Sequence, residues 1–361
     1  MIDELKEVFE LAINCTNFVN ELLKIKNTKN NLRQNSSGDY SQLASSGYYS
    51  KLASSGDSSQ LASSGDYSQL ASSGDYSQLA SSGYYSKLAS SGYYSKLASS
   101  GYYSQLASSG YYSKLASSGD SSQLASSGDY SKLASSGNYS QLASSGYYSK
   151  LASSGNYSQI DSTGKNSVIA SIGLKDIVKA KKGSWVTLAE YKQNNNSWIV
   201  DFVKTEQVDG ETIKEDTYYT LYNHKFVEVE IIDNIKTIIL QRKKNVIKGL
   251  FLNDLQPCYV VEKDGVYAHG ATLKEAKESL IYKITDRDKS DYEDYTLDTE
   301  VTHEEAIKMY RVITGACEAG TRNFVENVLA EKKEKYTVKE IIKLTEGQYG
   351  NETLKEFMEN K

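Results

Sequence analysis

Glycine recurs at every ninth residue through much of this chain, and this spacing is the feature that most constrains its fold. The series begins at Gly38 and runs without interruption to Gly155, with degenerate continuations at Gly164 and Gly173. The consensus unit is Gly-x-Tyr-Ser-(Gln/Lys)-Leu-Ala-Ser-Ser, and we number its positions 1 to 9 from the glycine. Such short-period self-similarity is typical of a repeat architecture, so we do not expect a conventional enzyme core here.

A continuous helix does not suit this unit. Each copy contains a glycine and three or four serines, which favour turns and helix caps over helix interiors. Nine residues at about 100° each would also place successive leucines on opposite faces of a helix. A short strand over Tyr-Ser-x-Leu-Ala, followed by a corner at Ser-Ser-Gly-x, satisfies both constraints. The sequence therefore predicts a β-solenoid.

Two units per coil, or about eighteen residues, are expected because nine residues are too few to enclose a core. Residues 38 to 173 would then form between about seven and eight coils, in a rod roughly 35 Å long at ~4.8 Å per coil. The leucine at position 6 and the serine at position 4 should point inward. The tyrosine at position 3 and the Gln or Lys at position 5 should point outward.

Every second copy should stack on the same face of such a solenoid, which creates ladders of like side chains. One face then carries a run of lysines that could track phosphates, but a solvated face whose like charges splay apart in water is the favoured interpretation. Tyrosines are expected to stack, because one buried leucine does not offset the entropy lost when nine residues become ordered. A disordered Ser/Gly-rich spacer would not explain the regular Leu and Tyr placement. The candidate binding residues of the array are Lys96, Lys114, Lys132, Lys150, Tyr94, Tyr103 and Tyr112.

The first 27 residues place apolar side chains at spacings of three and four, which indicates an amphipathic helix. We expect this helix to cap the first repeat, or alternatively to mediate self-association. Cys15 lies on its apolar side, where a small buried thiol is expected. The apolar positions are Ile2, Leu5, Val8, Phe9, Ala12, Cys15, Phe18, Val19, Leu22 and Leu23.

The chain after the array changes to a Lys-, Glu-, Ile- and Val-rich composition with its own signals. Strands are predicted at 185–188, 198–204, 218–222, 226–232 and 237–241, followed by a hairpin with a type I′ turn at Asp264 and Gly265. Thr272, Thr302 and Thr337 each stand three residues before a glutamate and open predicted helices at 273–285, 303–332 and 338–345, the second broken at Gly315 or Gly320. A last short helix is expected after residue 351.

The predicted fold is therefore mainly β: a β-solenoid of tandem nine-residue repeats, with an N-terminal helix and a C-terminal α+β module. We divide the chain into an N-terminal helix or cap (1–35), the solenoid (36–183), a β-rich module (184–250) and a mostly helical C-terminal domain (251–361).

Catalytic and cofactor motifs are sparse, so we expect no enzyme activity, no cofactor and no metal. The three histidines share no ligand spacing, and no nucleophile elbow, Walker A or dinucleotide fingerprint occurs. His269, which follows the hairpin, is the best candidate for a binding histidine, and a surface turn residue is the alternative. Arg311, Cys317 and Arg322 surround the predicted helix break, which could form a pocket; a buried cysteine and surface arginines explain them equally well.

Two resemblances follow from particular segments. Residues 164–173 and 180–189 resemble the Gly-x-x-Ser-x-Ala repeats of the β-roll in trimeric autotransporter adhesin heads, but no secretion signal or membrane anchor is recognisable. The whole chain resembles a group of uncharacterised nonapeptide-repeat proteins of phages and gut bacteria, through residues 208–211, 216–219, 269–276 and 313–317. The second resemblance implies a mobile-element origin and no particular chemistry. The Gly-Gly-x-Gly-x-Asp motif of calcium-binding nonapeptide repeats is absent, so no calcium ladder is expected.

These observations favour a non-enzymatic scaffold that binds protein partners, because repetition suits multivalent contact. The partner is expected to be a host protein or a second copy of the chain. A phage-type inhibitor of a host defence or nucleic-acid enzyme is one alternative, and an enzyme in the C-terminal domain is another. A net charge of −5 gives no reason to expect a membrane or nucleic acid, although the lysine ladder keeps nucleic acid open. Three well-separated cysteines favour a reducing compartment, and we expect the host bacterial cytoplasm.

Overall fold

The computed structural model describes residues 6, 8–11, 14–22, 30–195, 197–285, 287–329 and 331–359. The chain forms two compact units, residues 1–226 and residues 227–361. The predicted segments 1–35 and 36–183 both fall in the first unit. The predicted β-rich module is divided between the two units.

The first unit is a parallel β-solenoid with a period of eighteen residues, which confirms the predicted fold class. Each strand pairs with the strand two ahead in the chain, so that Lys96 lies beside Lys114 and Leu97 beside Leu115. Consecutive strands therefore alternate between two sheets. Sheet A contains β1 (Arg33–Ser36), β3 (Lys51–Ser54), β5 (Gln69–Ser72), β7 (Lys87–Ser90), β9 (Gln105–Ser108), β11 (Gln123–Ser126), β13 (Gln141–Ser144), β15 (Gln159–Ser162) and β17 (Ile177–Lys179). Sheet B contains β2 (Gln42–Ser45), β4 (Gln60–Ser63), β6 (Gln78–Ser81), β8 (Lys96–Ser99), β10 (Lys114–Ser117), β12 (Lys132–Ser135), β14 (Lys150–Ser153) and β16 (Val168–Ser171).

The solenoid has about nine coils, more than the seven to eight expected. The difference arises at both ends, because β1 precedes the first glycine and the strands after Gly173 continue the parallel stacking. Strands at both ends therefore join the two sheets without matching the nine-residue consensus.

The strand in each unit spans positions 5 to 8, and the predicted strand over Tyr-Ser-x-Leu-Ala was wrong in one respect. The tyrosine at position 3 lies in the turn, in the left-handed backbone region, with φ of 57° at Tyr94 and Tyr103. Non-glycine residues seldom adopt this conformation, and it costs about 1 to 2 kcal/mol each. Stacking between coils has to offset that cost.

The core of each coil contains the leucine at position 6, as predicted, together with the serines at positions 4 and 8. Leu97 and Leu106 are each only 1 % exposed. In each corner the two serine hydroxyls bond to each other and then to the glycine carbonyl: Ser54 Oγ donates to Ser59 Oγ at 2.7 Å, and Ser59 Oγ donates to the oxygen of Gly56 at 2.8 Å. Buried polar groups thus find partners inside the corner, which explains why serine recurs.

An antiparallel segment follows the last coils of the first unit. It comprises β18 (Trp185–Asn194), β19 (Ser197–Gln207) and β20 (Tyr218–Tyr222), close to the predicted runs. The first residues of β18 extend sheet B in parallel with β16, and β19 then returns antiparallel to β18. β20 pairs antiparallel with β17 at the end of sheet A.

The N-terminal helix does not lie on the first repeat, and that expectation is corrected. The segment comprises a helical turn at residues 8–11 and α1 (Cys15–Leu22). Cys15 and Val19 pack on alanines of β6, β8 and β10, and Val8 packs on alanines of β12 and β14. The helix pitch of about 5.4 Å is close to the strand spacing of about 4.8 Å, so roughly one helical turn meets each coil. Ile2, Leu5, Ala12 and Leu23 lie outside the described residues.

The second unit combines an antiparallel meander with helices. The meander consists of β21 (Lys225–Ile232), which begins just before the unit boundary, β22 (Ile235–Lys243), β23 (Val246–Phe251), β24 (Pro257–Lys263) and β25 (Val266–Gly270). The elements that follow are α2 (Leu273–Ile284), a 3-10 turn (Ser290–Tyr292), β26 (Glu300–Thr302), α3 (His303–Thr314), α4 (Glu318–Asn327), β27 (Lys335–Thr337), α5 (Val338–Leu344) and α6 (Asn351–Glu359).

The local signals of this unit were largely confirmed. Asp264 and Gly265 both have positive φ, as a type I′ turn requires. Full capping boxes are present at Thr302 and Thr337, whereas at Thr272 only the threonine side chain makes its half of the box. The break in the long predicted helix occurs at Gly315, whose left-handed conformation ends α3.

Candidate functional site

Two tyrosine ladders run along the corners of the solenoid. One joins Tyr49, Tyr67, Tyr85 and Tyr103, and the other joins Tyr76, Tyr94, Tyr112, Tyr130 and Tyr148. Neighbouring rings are stacked with centroids 5.0 to 5.2 Å apart. Because the ring faces cover one another, the edges and hydroxyl groups face solvent; Tyr94 remains 44 % exposed and Tyr103 52 %. The predicted binding tyrosines thus occur on two separate ladders.

Position 2 of the corner takes one of two roles. Where it is Asp or Asn, the side chain accepts a hydrogen bond from the backbone N–H of position 2 in the next coil, as Asp66 does from Tyr84 at 2.8 Å. Where two successive coils carry Tyr here, their rings contact each other instead: Tyr84 stacks on Tyr102 at 5.2 Å, and Tyr93 meets Tyr111 edge-on at 5.4 Å. The variation that the sequence shows at this position therefore exchanges one inter-coil contact for another.

The four candidate lysines form the predicted in-register ladder on sheet B. Lys96 pairs with Lys114, Lys114 with Lys132, and Lys132 with Lys150. Only Lys96 is exposed, and the other three are half-buried. They lie on the same outward flank as the alanines that pack against the N-terminal helical segment. The lysine ladder therefore shares its flank with the N-terminal helical segment.

Alanine at position 7 projects outward on both flanks of the solenoid, with opposite consequences. On sheet B the alanines are buried; Ala80 and Ala98 are 0 % and 3 % exposed. On sheet A the equivalent residues are exposed from β3 to β13, Ala89 and Ala107 among them. These residues, with the serines at positions 8 and 9, line a shallow groove of about 930 Å³. We call this surface the open flank.

A polar cluster marks the end of the open flank, where Asp161 takes the place of alanine at position 7. The hydroxyl of Tyr218 on β20 donates to Asp161 Oδ2 at 2.8 Å and accepts from Gln159 Nε2 at 2.7 Å. Lys179 Nζ is 3.7 Å from the same carboxylate and 4.5 Å from the centre of the Tyr218 ring. Burial and the neighbouring carboxylate raise the pKa of Tyr218 well above its usual value, which keeps this hydroxyl protonated.

His269 is buried inside the second unit, so the alternative that it is a surface turn residue was wrong. It lies on β25 and is 0 % exposed, because the strand turns this residue toward the interior of the meander. Its Nε2 is 3.1 Å from Thr237 Oγ1, and its Nδ1 has no hydrogen-bond partner among the described residues. Buried N–H groups without a partner are rarer in proteins than buried acceptors without one, which favours the tautomer with the proton on Nε2. Burial, and then the charge of Lys283, lower the pKa of His269 to about 3.

A buried ion pair near this histidine was not anticipated. The Lys283 side chain is 1 % exposed, and its Nζ donates to Asp233 Oδ2 at 2.6 Å and to the carbonyl of Tyr267 at 2.7 Å. The ring centre of Tyr349 is 3.5 Å from the same nitrogen. Lys283 is near the end of an amphipathic helix, where a lysine usually reaches solvent, so no local sequence signal identified it.

The helix break does border a cavity, as one sequence hypothesis proposed. A mainly apolar cavity of about 90 Å³ lies beside α3 and α4 and includes Cys317, Gly320 and Phe324 in its lining. Cys317 Sγ accepts from the backbone N–H of Gly320, which makes it the N-cap of α4. The two arginines are engaged elsewhere: Arg311 Nε donates to the carbonyl of Ala316, and Arg322 pairs with Glu318 at 2.9 Å.

Known proteins give no guide to either unit. Comparison with protein-family models, curated proteins and solved structures finds no match to this chain. Within the described residues, no group of three or more His, Cys, Asp or Glu side chains is arranged to hold a metal ion. No helix in the same part of the chain has the length and apolar character needed to cross a membrane.

Sequence reasoning missed the open flank, although a signal for it was present. The repeats of sheet A and sheet B share the outward alanine, but the chain has one amphipathic N-terminal segment. A single amphipathic segment can cover only one of the two flanks. Comparing the number of equivalent flanks with the number of available covering elements would have indicated an uncovered surface.

Proposed function

We propose that this chain is a non-enzymatic protein-binding scaffold, of phage or mobile-element origin, that acts in the bacterial cytoplasm. The solenoid supplies the scaffold. The open flank of sheet A, bordered by the two tyrosine ladders, is the surface that binds a partner protein.

The observation that supports this proposal is the contrast between the two flanks of the solenoid. Both present alanine at position 7 of the same four-residue strand, and on sheet B this surface holds an amphipathic helix. The small methyl side chain permits close approach of a helix to the strands, and the coil spacing is close to the helix pitch. The open flank offers the same spacing and the same alanines, so an amphipathic helix of a partner fits it.

The tyrosine ladders add recognition at the borders of the flank. Tyrosine supplies apolar area and a polar hydroxyl with few rotatable bonds, which suits it to protein interfaces. Each hydroxyl recurs at the coil spacing, so one partner helix or several short segments can make repeated contacts.

Introducing negative charge on the open flank tests this proposal. In tagged chain expressed in a bacterial host, Ala107→Glu and Ala125→Glu together should abolish capture of any stoichiometric partner, because carboxylates would then project from the centre of the groove. Ala271→Glu is the matched control, since Ala271 is exposed and belongs to the second unit. The Ala271→Glu variant should still capture the partner protein.

The outcomes separate the candidate functions. A partner that survives the double substitution but is lost on deletion of residues 227–361 would place binding in the second unit and overturn the proposal. If the captured protein is a single host enzyme whose activity falls on binding, the chain acts as an inhibitor through the open flank. Circular dichroism of each variant verifies that the solenoid is intact.

A further inference from the structure

The terminal strand β19 is an unpaired edge with an apolar sequence. It is the last strand in the order of sheet B, and among the described residues only β18 pairs with it. It is eleven residues long, whereas β2 at the opposite end of the sheet has four. An edge strand of this length presents a row of backbone N–H and C=O groups to any other strand.

Five large apolar side chains of β19 are solvent-exposed. They are Trp198 (44 %), Ile199 (38 %), Val200 (52 %), Phe202 (38 %) and Val203 (50 %). Consecutive members of this run belong to both faces of the strand, so the exposure is not that of one outward face of an ordinary sheet. A cluster of this kind on a protein surface usually marks a contact site.

A charged side chain on an edge strand normally discourages pairing with another chain, but the charge on β19 is already paired within this chain. Asp201, in the middle of the apolar run, lies at a bulge in the pairing with β18. Its carboxylate is 2.6 Å from Lys192 Nζ and 3.1 Å from His224 Nε2, and these partners lower the pKa of Asp201. An acid already paired within its own chain opposes the approach of another strand much less than a bare one.

We infer that β19 pairs antiparallel with β19 of a second copy of this chain, forming a two-fold symmetric dimer that joins the two sheets B. Self-pairing matches the edge in both length and chemistry. The other end strand of sheet B, β2, is short and carries the polar consensus, so it matches β19 poorly. A two-fold axis near Val200 would also set Trp198 of each copy across from Phe202 of the other, and aromatic cross-strand pairs stabilise sheets.

Sedimentation analysis of the full chain tests this inference. An interface of one strand pair is small, so a dissociation constant in about the micromolar range is expected. Between about 1 and 100 µM the mass should rise from the 40.0 kDa monomer toward twice that value. Val200→Lys should keep the chain monomeric throughout, because two lysines would meet at the axis. Leu240→Lys, on the interior strand β22 and 45 % exposed in the wild type, should still dimerise.

Hydrogen exchange on the unmodified chain provides a second test, which does not depend on whether a substituted variant folds correctly. Amides in residues 198–205 should become more protected as the concentration rises, and those of β2 should not. A wild-type chain that stays monomeric at about 100 µM, a dimer unaffected by Val200→Lys, or growth into filaments with protection at β2 would each overturn the inference. None of these results bears on the open flank, which lies on sheet A.

Discussion

Replacing one corner glycine by alanine should destabilise the solenoid by an amount that depends on its position along the array. A Cβ built on Gly101 lies 2.0 Å from the carbonyl oxygen of Gly83 in the preceding coil. A Cβ on Gly38 meets only two serine hydroxyls, at 3.6 and 3.9 Å, because no earlier glycine corner lies beneath it. The two substitutions are chemically identical and differ only in this neighbour.

The cost at Gly101 follows from the distance. Ordinary contact requires about 3.5 Å, so the two coils must separate locally by roughly 1.5 Å. Two inter-coil bonds adjoin the corner, from Ser100 N to Ser81 O and from Tyr85 N to Tyr102 O, both 3.0 Å. Separation of that size breaks both, at about 1 kcal/mol each, and adds about 1 to 3 kcal/mol of packing strain. We expect Gly101→Ala to lower the free energy of unfolding by about 3 to 5 kcal/mol.

Urea unfolding followed by far-ultraviolet circular dichroism measures this difference. Gly38→Ala should shift the midpoint little, since an alanine there meets no backbone, and its effect should stay within about 0.5 kcal/mol. Equal stability of the two variants would refute the eighteen-residue stacking, because the clash exists only if residue 83 lies directly beneath residue 101.

Three further changes have defined outcomes. Tyr94→Ala removes a ring stacked on both sides and should cost about 1 to 3 kcal/mol in the same unfolding assay, whereas Tyr40→Ala, 79 % exposed, should cost less. Asp66→Ala removes the acceptor for the Tyr84 N–H and should cost about 1 kcal/mol by thermal melting. Because the pKa of His269 falls from its ordinary value of 6.5 to about 3 on folding, the unfolded chain binds the extra proton as pH drops below about 6.5. Stability should therefore fall by about 1 kcal/mol from this group between about pH 6 and 5, and His269→Gln should remove that contribution in urea titrations at the two pH values.

The period and register of the solenoid were predictable because they depend on chain-wide regularity. Two nine-residue units per coil place Lys96 beside Lys114 whatever the local strand boundaries are, and the buried leucine marks the inner face. The conformation of the tyrosine was not predictable in the same way. A left-handed residue is unfavourable locally, and only ring stacking and hydrogen bonds to the next coil make it acceptable at Tyr94.

The placement of the candidate residues depended on tertiary contacts that periodicity does not encode. An apolar stripe around Cys15 and Val19 shows that one helix face is buried, but not which surface covers it. The short sequence around His269 likewise indicates a hairpin without showing which residues of β25 face inward. The cavity near Gly315 was foreseeable, because a glycine break in a long helical pattern implies two packed helices with space at the junction.

The central claim, that the open flank of the solenoid binds a protein, is tested most directly by site-specific photo-cross-linking in cells. A photoreactive residue would replace Ala107 on the open flank or, separately, Ala271 in the second unit, both of which are exposed. The account predicts a discrete intermolecular adduct from position 107 and none from position 271. An adduct from position 271 with none from position 107 would contradict it.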